Sequence, residues 1–216
     1  MVNKVYMYIM QDMKSNATRE KIENHIQKAS EIWDIRFEVR YGSFPHDTTT
    51  KTTDPKVPVG PKDMKDPAYP GGCSLFHQPN RLCSNRIKYA IVTDYRNRYF
   101  PDAEIIILYS SGPYFADGTT KAVSYDMNSE YPYFILMSDG TFESDYLMAH
   151  EIGHIFNYTN RNDNKNEANP YKNPKNGEID YAHNNDPDNI MYPIVGLNPT
   201  VTADQKAKAL ESRIIK

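Results

Sequence analysis

The stretch Tyr146-Leu147-Met148-Ala149-His150-Glu151-Ile152-Gly153-His154-Ile155-Phe156-Asn157 has H-E-x-x-H at its centre. Residues four apart in a helix share one face, so the imidazoles of His150 and His154 can reach a single metal ion. Glu151 lies about 100° further round the axis, beside the place where a metal would carry water. Two histidines and a glutamate in this order are the sequence mark of a zinc-dependent hydrolase, most often a peptidase. The competing reading is an amphipathic helix that happens to bury two histidines, so the neighbouring sequence has to decide.

That neighbourhood favours a helix over Phe142–Phe156. It contains no proline, Thr141 or Ser144 can cap its start, and Glu143 and Asp145 suit the positive end of the helix dipole. Tyr146, Leu147, Ile152, Ile155 and Phe156 surround the histidines with apolar bulk. Gly153 lowers helix propensity, which implies that something packs closely against it. Asn157 is suited to a left-handed residue at the helix end.

A catalytic zinc needs three protein ligands and one open position. The other histidines are His25, His46, His77 and His183, and only His183 lies downstream. Glu178 competes with it, since peptidases of the thermolysin type take a glutamate from a later helix, although Gly177 and the nearby Asn and Pro residues speak against a long helix there. Asp186 is a third choice, because carboxylates also bind zinc.

His183 is followed by Asn184-Asn185-Asp186-Pro187-Asp188-Asn189-Ile190-Met191-Tyr192-Pro193. Here the sequence resembles the metzincins, and among them the matrixins. In that family H-E-x-x-H-x-x-G-x-x-H precedes a tight turn reading (A/N)-(L/I)-M-Y-P, with the third histidine about eight positions before the turn methionine. In this chain the separation is 191 − 183 = 8, and Asn189–Pro193 matches the turn residue for residue. The departure from the pattern is that the family's glycine falls on Asn157 and its third histidine on Asn160. Asparagine tolerates the left-handed conformation, but Asn160 cannot stand in for an imidazole. The expectation is an inserted surface loop over about Tyr158–Ala182, with a turn at Asn173-Pro174-Lys175-Asn176-Gly177. Doubling a loop costs only about 0.6 kcal/mol in closure entropy, so a ligand beyond such an insertion is acceptable.

Working outward, Lys4–Met10 reads as a first strand. Ala17–Trp33 reads as a helix capped by Thr18, with Ile22, His25, Ile26, Ala29, Ile32 and Trp33 as its apolar stripe. On that stripe His25 reads as a core histidine rather than a ligand. Ile35–Tyr41 alternates as a half-buried strand, residues 44–86 read as a long elaborated loop, and Lys88–Thr93 and Ala103–Tyr109 read as strands. A chain of 216 residues with 39% apolar residues has enough material for one domain with a core. A net charge of −3 without a long basic run gives nucleic-acid binding no support. No apolar stretch approaches the length of a membrane span.

The resemblance covers roughly 103–212 and implies an α+β fold: a mixed twisted sheet, an N-terminal backing helix, an active-site helix, a Met-turn and a C-terminal helix. It implies a single metallopeptidase catalytic domain over 1–216, with an N-terminal subdomain to about 157 and a C-terminal one over about 158–216. Phe115–Tyr125 corresponds to a loop and edge strand, Tyr133–Met137 to the fifth strand, and Thr200–Ser212 to the closing helix with Thr202 as cap. It further implies one zinc ion (Zn2+) held by His150, His154 and His183, Glu151 as general base, and Met191 as an apolar floor beneath the histidines. A protein or peptide substrate would pair in extended form with the edge strand at Lys121, Ala122, Val123 and Ser124. Pro193 and Val195 would wall the pocket beyond the cut bond. Two other readings stay open: a thermolysin-like peptidase using Glu178, and an inactive zincin fold serving as a binding module, against which the intact Glu151 speaks.

Cys73 and Cys83 close a short loop if bonded, which fits an extracellular protein, and a second metal site from Cys73, His77 and Cys83 is the sharper alternative. Secretion is expected, with this chain a mature fragment given a start methionine. The run Asn162–Glu167 offers oxygen atoms to calcium (Ca2+) but lacks the glycine and spacing of a calcium loop, so it reads as a solvated loop.

Overall fold

The computed structural model describes residues 3–44, 93–113, 120–125, 132–157 and 167–216. In chain order the elements are β1 (Lys4–Asp12), α1 (Arg19–Trp33), β2 (Arg36–Phe44), α2 (residues 93–99), β3 (Ile105–Ser110), β4 (Ala122–Tyr125), β5 (Tyr133–Ser138), α3 (Leu147–Asn157), β6 (Pro170–Lys172), β7 (Ile179–Asn184) and α4 (Ala203–Leu210). The fold is α+β, as expected. His46, His77, Cys73, Cys83 and Asn160 lie outside the described residues, as does all but Thr93 of the strand expected over 88–93. Thr93 is already helical.

Five strands form one mixed sheet in the order β2-β1-β3-β5-β4. β3 and β5 have no polar alternation because both of their faces are buried, as strands in the middle of a mostly parallel sheet require. β1 runs parallel to β3 (Met7 opposite Ile105, Gln11 opposite Tyr109), and β3 runs parallel to β5 (Ile105 opposite Tyr133, Ser110 opposite Ser138). β4 is the antiparallel edge strand, pairing Val123 with Leu136.

Two compact units make up the chain. One comprises Tyr6–Ala17 and Val39–Thr141. Its core joins Tyr8, Met10, Phe100, Leu108, Phe134 and Leu136. Asp139 ties together the chain after β1, β3 and β5: its Oδ1 accepts from the Ser15 hydroxyl at 2.7 Å and the Asn16 N–H at 2.8 Å, and its Oδ2 accepts from the Gly112 N–H at 3.0 Å. Gly140 must be a glycine here, because a Cβ would collide with the Pro113 carbonyl oxygen.

The other unit comprises Met1–Val5, Thr18–Glu38 and Phe142–Lys216. Thr18 caps α1 through the Lys21 N–H, and Asp34 ends it in the left-handed conformation at φ 56°. Ile22, Ala29 and Trp33 form the buried stripe that the spacing predicts. Trp33 is fully buried, donates its indole N–H to the Ala149 carbonyl at 2.9 Å and meets Phe156 edge-on at 5.4 Å, so α1 backs α3. His25 is buried and stacks on Phe142 at 5.1 Å, the core histidine expected.

Three local expectations need correction. Asn157 is the last residue of α3 and does not take a left-handed conformation. The histidine-bearing helix begins at Leu147, not at 142. Residues Asp139–Glu143 form a 3-10 turn instead, and the Thr141 hydroxyl donates to the Ser138 carbonyl at 2.6 Å rather than capping α3. The insertion is not all loop, because β6 and β7 pair as an antiparallel hairpin. Its turn is the Asn173–Gly177 segment, where Gly177 takes φ 75° and donates its N–H to the Asn173 carbonyl at 2.8 Å. The C-terminal helix α4 carries the expected Thr202 cap, completed into a capping box by Gln205.

Candidate metal centre

His150 and His154 project from α3, one turn apart, and His183 comes from β7. Ring centroids lie 4.7 Å apart for His150 and His154, 5.4 Å for His150 and His183, and 4.9 Å for His154 and His183. One nitrogen from each ring falls within 4.8 Å of the others, and among the described residues this is the group able to hold a metal ion. The Nε2 atoms of His150 and His154 are 3.1 Å apart. Two ligands about 2.05 Å from a tetrahedral zinc stand roughly 3.3 Å apart, so the spacing suits that ion.

The hydrogen bonds behind the rings fix which nitrogen faces inward. Nδ1 of His150 is 2.7 Å from the Ile190 carbonyl oxygen. A carbonyl only accepts, so this nitrogen carries the proton and Nε2 keeps its lone pair. Nδ1 of His183 is 2.7 Å from Oδ2 of Asp180, with the same result. Metal-binding histidines need such outer partners to hold tautomer and ring plane. Burial lowers the His150 pKa to about 4, and the neighbouring His183 adds to the effect. Burial, then His150 and His183, push His154 well below its ordinary value. Both rings are therefore neutral at pH 7, the form that can donate to a metal. The donor set, the tautomers of His150 and His183, and the spacing fit a zinc ion.

A break in the hairpin aims His183. Tyr171 pairs with Asp180, yet Pro170 pairs with Asn184, so Tyr181, Ala182 and His183 have no ladder partner on β6. Bulges of this kind redirect side chains. Asp180 stabilises the bulge by accepting the Ala182 N–H on Oδ1 at 2.9 Å while Oδ2 holds the His183 ring. Beyond the bulge, the Asn184 N–H donates to the Met191 carbonyl at 2.8 Å, which sets the strand in register with the turn after it.

Met191 is fully buried, in a turn closed by the Tyr192 N–H to the Asn189 carbonyl at 3.0 Å. Gly153 shows why α3 needs a glycine between its histidines. A Cβ there would land on the Met191 sulfur and come within 2.7 Å of Cζ2 of Trp33. Glu151 is buried on α3. Pro193 and Val195 are half-buried after the turn, whereas Ile194 and Leu197 are exposed. Lys121, Ala122, Val123 and Ser124 lie at and just before β4, in the other unit.

Neither rival ligand joins the cluster. Glu178 is exposed at the hairpin turn, not on a second helix, and accepts from the Asn176 side chain at 2.7 Å. Asp186 is exposed and accepts the Asp188 N–H at 3.0 Å. Sequence reasoning missed Asp180, the Ile190 carbonyl and the contact of Trp33 with the histidine-bearing helix. A main-chain acceptor leaves no signature in residue types, and Asp180 stands out only once the bulge is known. It also read the run ending at Glu167 as solvated, but Glu167 is buried and accepts two side-chain amides.

The sheet, backing helix, histidine-bearing helix and buried methionine turn define a zincin-like α+β fold. That fold is similar to the crystal structure of metalloproteinase-II from Bacteroides fragilis, with a TM-score of 0.58 at 12% identity. The match covers 96% of this chain and 52% of that one, so the chain spans about half the length of that protein. No protein-family model and no curated protein matches the sequence. Among the described residues no helix is long and apolar enough to cross a membrane.

Proposed function

We propose that the chain is a zinc-dependent endopeptidase of metzincin type, closest to the matrixins, with His150, His154 and His183 as ligands. The observation that carries this reading is the convergence of the three imidazoles, two of them presenting Nε2 lone pairs fixed from behind. The metalloproteinase neighbour supports the same class. When bound, zinc supplies a Lewis acid that polarises a carbonyl and acidifies water.

The remaining tasks fall to the chain. The Ile190 carbonyl and Asp180 hold two ligand rings in one tautomer, so no reorganisation is needed on loading. Glu151, next to His150 on α3, acts as general base toward the attacking water and returns the proton to the leaving amine. Buried Met191 and Trp33 keep the helix from shifting beneath its histidines. Glu151→Gln keeps the shape and removes the base, so peptide hydrolysis should fall by at least about 100-fold with one zinc per chain retained. Hydrolysis at the wild-type rate in that variant would refute the assignment.

A further inference from the structure

We propose that Glu167 is a positioning residue of the metal centre, whose carboxylate holds the strand end bearing His183 and the turn bearing Met191 in one fixed relation. The proposal rests on the metal-centre reading above and adds to it a residue outside the three-histidine group. Glu167, Asn184, Asn189 and Gln205 form a buried cluster. Glu167 Oε2 accepts from Asn184 Nδ2 at 2.8 Å, and its Oε1 accepts from Gln205 Nε2 at 2.8 Å. Gln205 Nε2 also donates to Asn189 Oδ1 at 3.0 Å, and Asn189 Nδ2 returns a bond to Gln205 Oε1 at 3.0 Å. Asn184 directly follows His183, and Asn189 directly precedes Ile190 and Met191.

The direction of every bond is set by the main chain. Asn184 Oδ1 accepts the Asp186 N–H at 2.9 Å, Gln205 Oε1 accepts the Thr202 N–H at 2.9 Å, and Asn189 Oδ1 accepts the Met191 N–H at 2.9 Å. A backbone N–H can only donate, so none of the three amides can be turned over without losing one of these bonds. The NH2 groups of Asn184 and Gln205 must then meet an acceptor at each oxygen of residue 167. A carboxylate meets this demand, whereas the isosteric amide puts a donor against a donor. In a buried cluster that mismatch costs more than a missing bond at the surface. Relief requires Asn184 or the Asn189–Gln205 pair to move, and with them His183 or the Ile190 carbonyl that orients His150.

The test uses the full chain, with Zn2+ and Co2+ as probes. Wild type, E167Q and the exchanged pair E167Q/N184D are compared by chelator competition for Zn2+ and by the visible absorption of Co2+, with thermal melts of the metal-free proteins alongside. The exchanged pair puts an acceptor at 184 opposite the new donor at 167, leaving net charge unchanged. E167Q is expected to hold both ions about 10-fold or more weakly, with an altered Co2+ spectrum, and E167Q/N184D to recover both. A merely structural residue would lower the melting temperature and leave the Co2+ spectrum as it was. A folded E167Q with wild-type affinity and spectrum overturns the proposal. Should E167Q fail to fold, the exchanged pair decides: a wild-type spectrum supports the proposal, and a folded pair with a perturbed spectrum overturns it. Wild type that takes up neither ion removes the metal-centre reading and this one with it, whereas equal binding by wild type and E167Q removes this one alone.

Discussion

Gly153→Ala pits two effects of opposite sign against each other in one methyl group. By intrinsic propensity, alanine stabilises a helix interior by about 1 kcal/mol over glycine. The new methyl, however, would overlap the Met191 sulfur and sit 2.7 Å from Cζ2 of Trp33. Trp33 cannot retreat easily, because it is fully buried with its indole N–H on the Ala149 carbonyl. Met191 has the more flexible side chain, but it is buried and its N–H is held by Asn189 at 2.9 Å. Overpacking of this kind costs roughly 1–3 kcal/mol, and Trp33 and Met191 both being fixed places the cost at the upper end. The net expectation is destabilisation by about 1–2 kcal/mol, a lowering of the melting temperature by roughly 2–4 °C per kcal/mol at this chain length. Displacing Met191 also moves Ile190, whose carbonyl orients His150, so zinc affinity should fall by about 10-fold or more. Thermal or urea unfolding of the metal-free protein gives the first quantity and chelator competition the second. In Gly153→Ala/Met191→Ala the loss should be smaller than the sum of the two single losses, because removing the Met191 side chain opens the space the methyl needs. A single variant as stable as wild type, with unchanged zinc affinity, would refute the close packing on which this reasoning stands.

Asp180→Asn retains the acceptor for the Ala182 N–H but turns a donor toward Nδ1 of His183, forcing the proton onto Nε2. Zinc affinity by chelator competition should drop about 10–100-fold, more than for an ordinary loss of one hydrogen bond. Glu178→Ala should leave one zinc per chain by mass spectrometry, whereas His183→Ala should lose it, and the reverse result would restore a thermolysin-like ligand set. Burial holds the His25 pKa at about 4, against an ordinary value of 6.5. The unfolded chain therefore binds a proton there that the folded chain refuses, so stability falls as pH drops from about 6.5 toward 4 and levels off below. The shift corresponds to roughly 3 kcal/mol. Urea unfolding of metal-free wild type and His25→Leu across pH 4–7 should show a flatter profile in the variant, and parallel profiles would contradict the assignment.

The parts of the site legible in the sequence are those whose chemistry is local. His150 and His154 are four apart, and only a helix gives that spacing a meaning. Met191 stands eight beyond His183, and both lie on one short stretch whose main chain pairs with itself. Gly153 signalled a close neighbour without naming it, since Trp33 is remote in sequence. The start of α3 was misread because Thr141 and Ser144 look like caps, and no local pattern shows that the Thr141 hydroxyl is already engaged with Ser138. The hairpin was missed for another reason. β6 has only three residues and β7 does not alternate, because its bulge breaks the period of two on which strand recognition depends.

Because His183 is aimed by a bulge against β6, by Asp180 on its own strand and by the hold of Glu167 on Asn184, the number of residues between α3 and Glu167 has no bearing on where its ring points. Chain can be added to or cut from that connection over evolutionary time while the third imidazole stays in place, much as a tool held in its own clamp is indifferent to the length of its cord. A search profile that demands a fixed gap after the second histidine will pass over such chains. One that asks for the turn's methionine eight places downstream of a histidine, wherever that pair falls, will find them.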